Sequence, residues 1–136
     1  MVALQSKHDL ALELLQTAGR ATLPVTGFSM FPALRPGDLL HIGPHGSIAE
    51  GDVVVYHRHG RLIAHRVIRH SAGCVVTRGD RLKHPDSPVP TSEILGRVIG
   101  VERRGQPVEA RKRPVVSCLL SGSELAARIL HRLSRL

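Results

Sequence analysis

Between residues 21 and 101 the sequence alternates short runs of aliphatic, often β-branched residues with clusters of Gly, Pro and Asp. Short runs bounded by turn residues are typical of strands, so this region predicts a mostly β fold. Only 2% of the chain is aromatic, so Val, Leu, Ile and Ala must supply the core. The predicted strands are Thr22–Thr26, Leu39–Ile42, Asp52–His57, Leu62–Ile68, Cys74–Thr77 and Ile94–Val101.

The sequence predicts the structure of two segments between these runs. The runs Asp52–His57 and Leu62–Ile68 flank His59-Gly60, which predicts a β-hairpin. The segment Gly79–Pro90 contains three prolines and shows no periodicity, so it predicts a loop.

A helix is predicted on each side of the β region. Residues 3–18 carry apolar side chains at helical spacing before Gly19, a plausible stop. Ser121-Gly-Ser-Glu124 fits a capping box and precedes an apolar stripe that begins at Leu125. We therefore expect three parts, which are an N-terminal helix (1–20), a β domain (21–104), and a basic linker with an amphipathic C-terminal helix (105–136).

Composition and charge exclude several classes of protein. No window of the sequence approaches the roughly 18 consecutive apolar residues of a membrane span, which predicts a soluble chain. The two cysteines lie outside any CxxC motif, which predicts a cytoplasmic chain with reduced thiols. The net charge of +8 could indicate nucleic acid, but base-stacking aromatics are nearly absent and the excess is concentrated in the last quarter. The amphipathic C-terminal helix could lie peripherally on an anionic membrane or pack on protein, and the sequence leaves both open.

The most informative stretch is Thr26–Asp38, which places Ser29 between a strand end and a turn restrained by Pro32 and Pro36. A rigid turn can present a serine together with neighbouring backbone N–H groups, as a nucleophile with oxyanion donors requires. Alone the pattern is weak, because most serines in such turns are only turn residues.

Five sequence blocks, found in this order along the chain, strengthen the interpretation of Ser29 as a nucleophile. They are Ser29-Met-x-Pro-x-Leu-x-x-Gly-Asp38, Gly51-Asp-Val-Val54, His65-Arg-Val67, Arg78-Gly-Asp80 and Leu95-Gly-Arg-Val98. In this order they resemble the S24/S26 serine peptidases, a group that includes type I signal peptidases and self-cleaving LexA-like repressors. The resemblance covers about Pro24 to Val101. It implies a signal peptidase/LexA-like β-fold and a serine endopeptidase with Ser29 as nucleophile.

The resemblance also suggests the general base. Members of the superfamily use either a lysine or, in archaeal, endoplasmic-reticulum and sporulation-type signal peptidases, a histidine in a His-Arg-Val/Ile segment. The matching residue here is His65, and the chain's three lysines, Lys7, Lys83 and Lys112, all lie off the expected strand. Histidine is largely neutral at cellular pH and can accept the serine proton. This interpretation predicts that Ser29 Oγ and the His65 ring lie within hydrogen-bond reach.

A carboxylate on the other imidazole nitrogen would orient the ring. The histidine-type family has essential aspartates in a segment that Asp80 and Asp86 resemble, and the sequence does not decide which touches His65. Asp80 could instead hold a turn, as Asp after Gly commonly does.

The resemblance implies a substrate groove shaped by Gly27, Phe28, Met30 and Pro32, and a precursor peptide bound as an extended strand. No cofactor is implied, and the histidines with Cys74 show no accepted zinc-ligand spacing, so we expect no metal.

The chain departs from the signal peptidases of the family in having no predicted membrane anchor, which argues against signal-peptide removal more than against peptidase chemistry. About 20 residues precede the β region, too few for the DNA-binding domain of LexA-like proteins. One alternative is a catalytically inactive peptide-binding module of the same fold. The other is a basic protein associated with a membrane surface or with nucleic acid, although the scarcity of base-stacking aromatics argues against nucleic acid.

Overall fold

The fold is known from a computed structural model that describes residues 2–109, with side chains described from Asp9 onward. One helix, α1 (Val2–Thr17), precedes a series of strands, and a single turn of 3-10 helix (Thr91–Glu93) lies before β7. The strands are β1 (Ala21–Pro24), β2 (Leu39–Gly43), β3 (Val53–Arg58), β4 (Arg61–Ser71), β5 (Cys74–Arg78), β6 (Val89–Pro90), β7 (Ile94–Arg103) and β8 (Gln106–Val108).

All eight strands belong to one antiparallel sheet in the order β1-β2-β7-β3-β4-β5-β6, with β8 paired to β7. The prediction of a mostly β fold is confirmed, and each of the six predicted strands overlaps one of these elements. The predicted hairpin is β3–β4, closed by His59 and Gly60 with φ of 55° and 73°. Positive φ at both turn residues matches the twist of a two-residue hairpin.

Two short strands lie where the sequence predicts irregular chain. The pair Val89–Pro90 forms β6 inside the predicted loop, and Gln106–Val108 forms β8 inside the predicted linker. Segments this short, each with a proline, show no apolar alternation, so pairing with β5 and β7 decides their conformation. The predicted C-terminal helix and most of the predicted linker lie outside the described residues, and the three-part division remains a prediction.

Helix α1 packs against the sheet through Ala11 and Leu15, which are both buried. It ends where Gly19 takes a φ of +73°, a conformation that glycine adopts without steric cost. Leu10 and Leu14 remain on its exposed side. Within residues 2–109 no helix has the length and apolar character needed to cross a lipid bilayer.

The interior consists of two aliphatic clusters. The first cluster contains Leu15 of α1, Met30 and Leu34 of the β1–β2 connection, and residues of β2, β3 and β7. The second cluster contains Tyr56 together with residues of β3, β4 and β5. Adjacent residues of β3 and β4 point to opposite faces of the sheet, so these two strands contribute to both clusters.

The β1–β2 connection is fixed at its end by Asp38, whose side chain is 2% exposed. Its carboxylate accepts bonds from the Arg103 guanidinium at 2.9 Å and from the Arg35 backbone N–H at 2.9 Å. The Arg103 hydrogen bond is the largest cause that holds the pKa of Asp38 below its ordinary value of 3.8. The ionised form of Asp38 therefore stabilises the folded chain.

We predict that Asp38→Asn lowers the free energy of unfolding at pH 7 by about 1–3 kcal/mol, the range for hydrogen bonds to a charged group. A carboxyl with a lowered folded-state pKa contributes stability above pH 3.8 that is lost as the pH falls through the folded value. The gap between wild type and variant should therefore close in strong acid. Urea unfolding of both proteins at pH 7 and at about pH 2.5 measures this difference in unfolding free energy. Glu102→Gln, which removes a partly exposed carboxylate paired with His41, is the control, and an equal gap at both pH values would contradict the prediction.

Candidate active site

The β1–β2 connection presents Ser29, which is half-buried. Its ends are closed by backbone bonds between Val25 and both Gly37 and Asp38. Met30 and Leu34 bury their side chains in the first cluster and anchor the segment beside the serine. Within the described part of the chain, the backbone N–H groups of Ser29 and Met30 donate to no acceptor. Both are therefore free to bind a ligand oxygen.

His65 lies on β4, directly across from Val54 of β3, and is 8% exposed. Its Nε2 is 3.1 Å from Ser29 Oγ, and its Nδ1 is 2.6 Å from Asp86 Oδ2. A carboxylate can only accept, so Nδ1 carries the ring proton and Nε2 is left to accept from the serine hydroxyl. The three side chains form one hydrogen-bonded series.

Asp86 is held in place by β3 and β5. Its Oδ2 accepts from the Thr77 hydroxyl at 2.8 Å and from the Tyr56 hydroxyl at 3.1 Å. Its backbone N–H donates to the Thr77 carbonyl. Burial, assisted by the charge of Asp86, raises the pKa of Tyr56 to about 12. The tyrosine therefore stays protonated and donates to the carboxylate throughout the neutral range.

Asp80, the other aspartate predicted to orient His65, is bonded to Arg66 instead. Both of its oxygens accept from the Arg66 guanidinium at 2.8 Å. The two side chains are 4% and 2% exposed, and Arg66 also donates to the Gly51 carbonyl. Of the two aspartates, the structure brings Asp86 and not Asp80 to the imidazole.

The segment around Asp80 nonetheless contacts the serine loop. The Arg81 N–H donates to the Ser29 carbonyl at 2.9 Å, and the Asp80 N–H lies 3.3 Å from Met30 Sδ. A Cβ at Gly79 would lie 2.7 Å from the Ser29 carbonyl oxygen, so only glycine permits this approach. The Arg66–Asp80 pair thus fixes the segment on which the backbone of Ser29 rests.

Tyr56 and Thr77 support the site and were not among the residues singled out from the sequence. The predicted hairpin could have indicated Tyr56. Tyr56 is opposite Ile63 in the register, and Ile63 is two residues from His65 on the same face of β4. A hydroxyl on a buried strand next to the histidine is therefore implied once the hairpin register is known.

A groove of about 790 Å³ runs past Ser29 and His65, between α1 and β1 on one side and the first half of β4 on the other. Of the four residues predicted to shape it, Gly27 and Met30 line it. Phe28 and Pro32 lie outside its lining, and the Phe28 ring is 59% exposed beside Phe31. Among the residues whose side chains are described, no group of three His, Cys, Asp or Glu is placed to hold a metal ion.

A protein-family model described as Peptidase S24-like matches residues 3–99. The match covers most of the chain and includes α1, Ser29, His65 and both aspartates. A search of curated proteins finds no match.

Proposed function

The chain belongs to the Peptidase S24-like family, and on that premise we propose that it is a serine endopeptidase with Ser29 as nucleophile and His65 as general base. The observation that carries the proposal is the unbroken series Ser29 Oγ, His65 Nε2, His65 Nδ1 and Asp86 Oδ2, with contacts of 3.1 and 2.6 Å. Asp86 orients the ring and Asp80 is a positioning residue that acts through the serine loop.

In the proposed reaction Ser29 Oγ attacks the peptide carbonyl while His65 Nε2 takes the hydroxyl proton. The resulting imidazolium is stabilised by Asp86 through the Nδ1 proton. His65 then gives its proton to the leaving amine, and the acyl-enzyme forms. A water molecule, deprotonated by the same nitrogen, hydrolyses the ester and restores Ser29.

The oxyanion that develops on the carbonyl needs fixed donors. The backbone N–H groups of Ser29 and Met30 have no acceptor within the described residues, and both belong to the turn that carries the nucleophile. We assign the oxyanion site to these two groups. The burial of Met30 and Leu34 supports this assignment, because it keeps the turn rigid.

The proposed substrate is a peptide that adds as an extended strand. Strand β4 pairs with β3 from Arg61 to Arg66, but its pairing with β5 starts only at Arg66. The first half of β4, from Arg61 to His65, lines the groove, so an extended peptide in the groove would lie beside this strand. The histidine base and the five sequence blocks favour a signal-peptidase-like precursor-processing enzyme of the Ser/His type.

A fluorophosphonate probe, which reacts with activated serines, tests the nucleophile. We expect the probe to label wild type at Ser29, as read by mass spectrometry of the digested protein, and to leave Ser29→Ala unlabelled. Ser47→Ala, an exposed serine in another loop, should label like wild type. Equal labelling of wild type and Ser29→Ala would contradict the proposal, and so would a wild-type protein that takes no label, as expected of an inactive peptide-binding module.

A further inference from the structure

Thr77 of β5 is a polar residue among aliphatic neighbours. It is fully buried and lies directly opposite Val67 of β4, and Val75 precedes it on the same face of β5. Both valines belong to the second cluster. A valine at position 77 would keep the β-branched shape and match this cluster, whereas a buried hydroxyl is costly unless it is hydrogen-bonded. The contacts of the Thr77 hydroxyl therefore decide what this residue contributes.

The Thr77 hydroxyl lies between Asp86 and Tyr56. Its Oγ1 is 2.8 Å from Asp86 Oδ2 and 2.9 Å from the Tyr56 hydroxyl, which is itself 3.1 Å from the same carboxylate oxygen. A carboxylate only accepts, and each hydroxyl has one proton, so two protons serve three contacts. The shortest contact assigns the Thr77 proton to Asp86, and the Tyr56 proton is then shared between Asp86 and Thr77. Thr77 is thus the principal hydroxyl donor to Asp86.

These contacts converge on one oxygen of the carboxylate. Oδ2 is also the atom that lies 2.6 Å from His65 Nδ1, whereas Oδ1 has no hydrogen-bond partner among the described residues. Thr77 is bonded to Asp86 a second time, because its backbone carbonyl accepts from the Asp86 N–H. The backbone bond fixes the chain at Asp86, and the hydroxyl bond fixes the direction of the carboxylate. Without the hydroxyl, the side chain is freer to rotate and to carry Oδ2 away from the imidazole.

We propose that Thr77 is a positioning residue of the peptidase reaction, which holds Asp86 Oδ2 against His65 Nδ1 so that Nε2 stays directed at Ser29. The inference rests on the proposed peptidase function and extends the hydrogen-bonded series by one residue. Thr77 does not line the groove, so its effect on the reaction passes through Asp86. Its loss should therefore lower kcat and leave KM unchanged.

The test compares variants on a peptide that wild type cleaves. Thr77→Val removes the hydroxyl, and we expect kcat to fall by about tenfold, as for one hydrogen bond to a charged group that Tyr56 partly replaces. Thr77→Ser restores a hydroxyl and should recover most of the loss. Thr91→Val is the matched control, because the buried Thr91 hydroxyl has no hydrogen-bond partner within the described residues. It should keep wild-type kcat.

Two further variants test the route through the carboxylate. In the Asp86→Asn background the group that Thr77 positions is absent, so Thr77→Val should cost little further activity. Tyr56→Phe removes a proton that is shared between two acceptors, so its loss in kcat should be smaller than that of Thr77→Val. Every rate is expressed per folded protein, as measured by urea unfolding, so that a change in stability does not count as a change in kcat.

Proton NMR of the His65 Nδ1–H gives a readout that does not depend on cleavage. A short bond to a carboxylate moves this resonance far downfield, and rotation of Asp86 in Thr77→Val should move it upfield or broaden it. Thr91→Val should leave it in place. Thr77→Ser should bring it back towards the wild-type position.

The outcomes separate the inference from the proposed function. Wild-type kcat in Thr77→Val, or an unchanged Nδ1–H resonance, would overturn the inference and leave the peptidase function standing. A loss that Thr77→Ser does not recover, or that multiplies with the loss in Asp86→Asn, would overturn it too, because the bond from the hydroxyl to Asp86 would not be responsible. A wild type that cleaves no more than Ser29→Ala would overturn the proposed function and the inference with it.

Discussion

Replacement of Ser29 by Ala is expected to lower kcat/KM for peptide cleavage by about 10⁴-fold or more, because the alanine side chain has no atom that can form the acyl-enzyme. His65→Ala should cause a loss of similar size, since the hydroxyl 3.1 Å from Nε2 then has no acceptor for its proton. Single-turnover assays on a peptide cleaved by wild type measure both values.

The double variant distinguishes a shared mechanism from two independent defects. When two groups act as one unit, removing the second costs little once the first is gone, so Ser29→Ala/His65→Ala should resemble either single variant. Losses that multiply would contradict the proposed dyad, as would a single variant with wild-type activity. His84→Ala, an exposed histidine outside the groove, is the control for His65→Ala.

The sequence predicts the main strands because their burial follows the residue pattern. Strand β3 begins with the buried apolar run Val53–Tyr56, and His59-Gly60 between two such strands indicates a hairpin turn. Strands β6 and β8 could not be predicted in this way, because each is only two or three residues long, contains a proline, and gains its conformation by pairing with β5 or β7.

Some residues of the candidate site could likewise be predicted from the sequence, and others could not. The motif blocks select Ser29 and His65, and the strand assignment places the histidine on a face of β4. The choice between Asp80 and Asp86 depends on the path of a loop without periodicity. That path is set by tertiary bonds, from Arg66 to Asp80 and from Tyr56 to Asp86. The partner of a carboxylate in such a loop becomes visible only when the strands that contact the loop are in place.

Asp86→Asn is expected to lower kcat by about 10²–10⁴-fold while the chain stays folded. The carboxylate at 2.6 Å fixes the proton on Nδ1, whereas an asparagine amide can donate there and favour the tautomer with the proton on Nε2. A histidine with Nε2 protonated cannot accept from Ser29. The measurement is kcat from pH 5 to 9, where Tyr56, with its pKa raised to about 12, remains a donor to residue 86.

Asp80→Asn makes the same chemical change six residues earlier, away from the imidazole, and its expected primary defect is in stability. It leaves the guanidinium of Arg66, 2% exposed, without its charge partner, which costs about 3–5 kcal/mol of unfolding free energy for a buried pair. The loss should be visible in urea unfolding, and Arg66→Met/Asp80→Asn should recover part of it by removing the stranded charge. If Asp86→Asn were as active as wild type, or if its entire loss of activity matched a loss of folded protein, then Asp86 would not be the residue that orients His65.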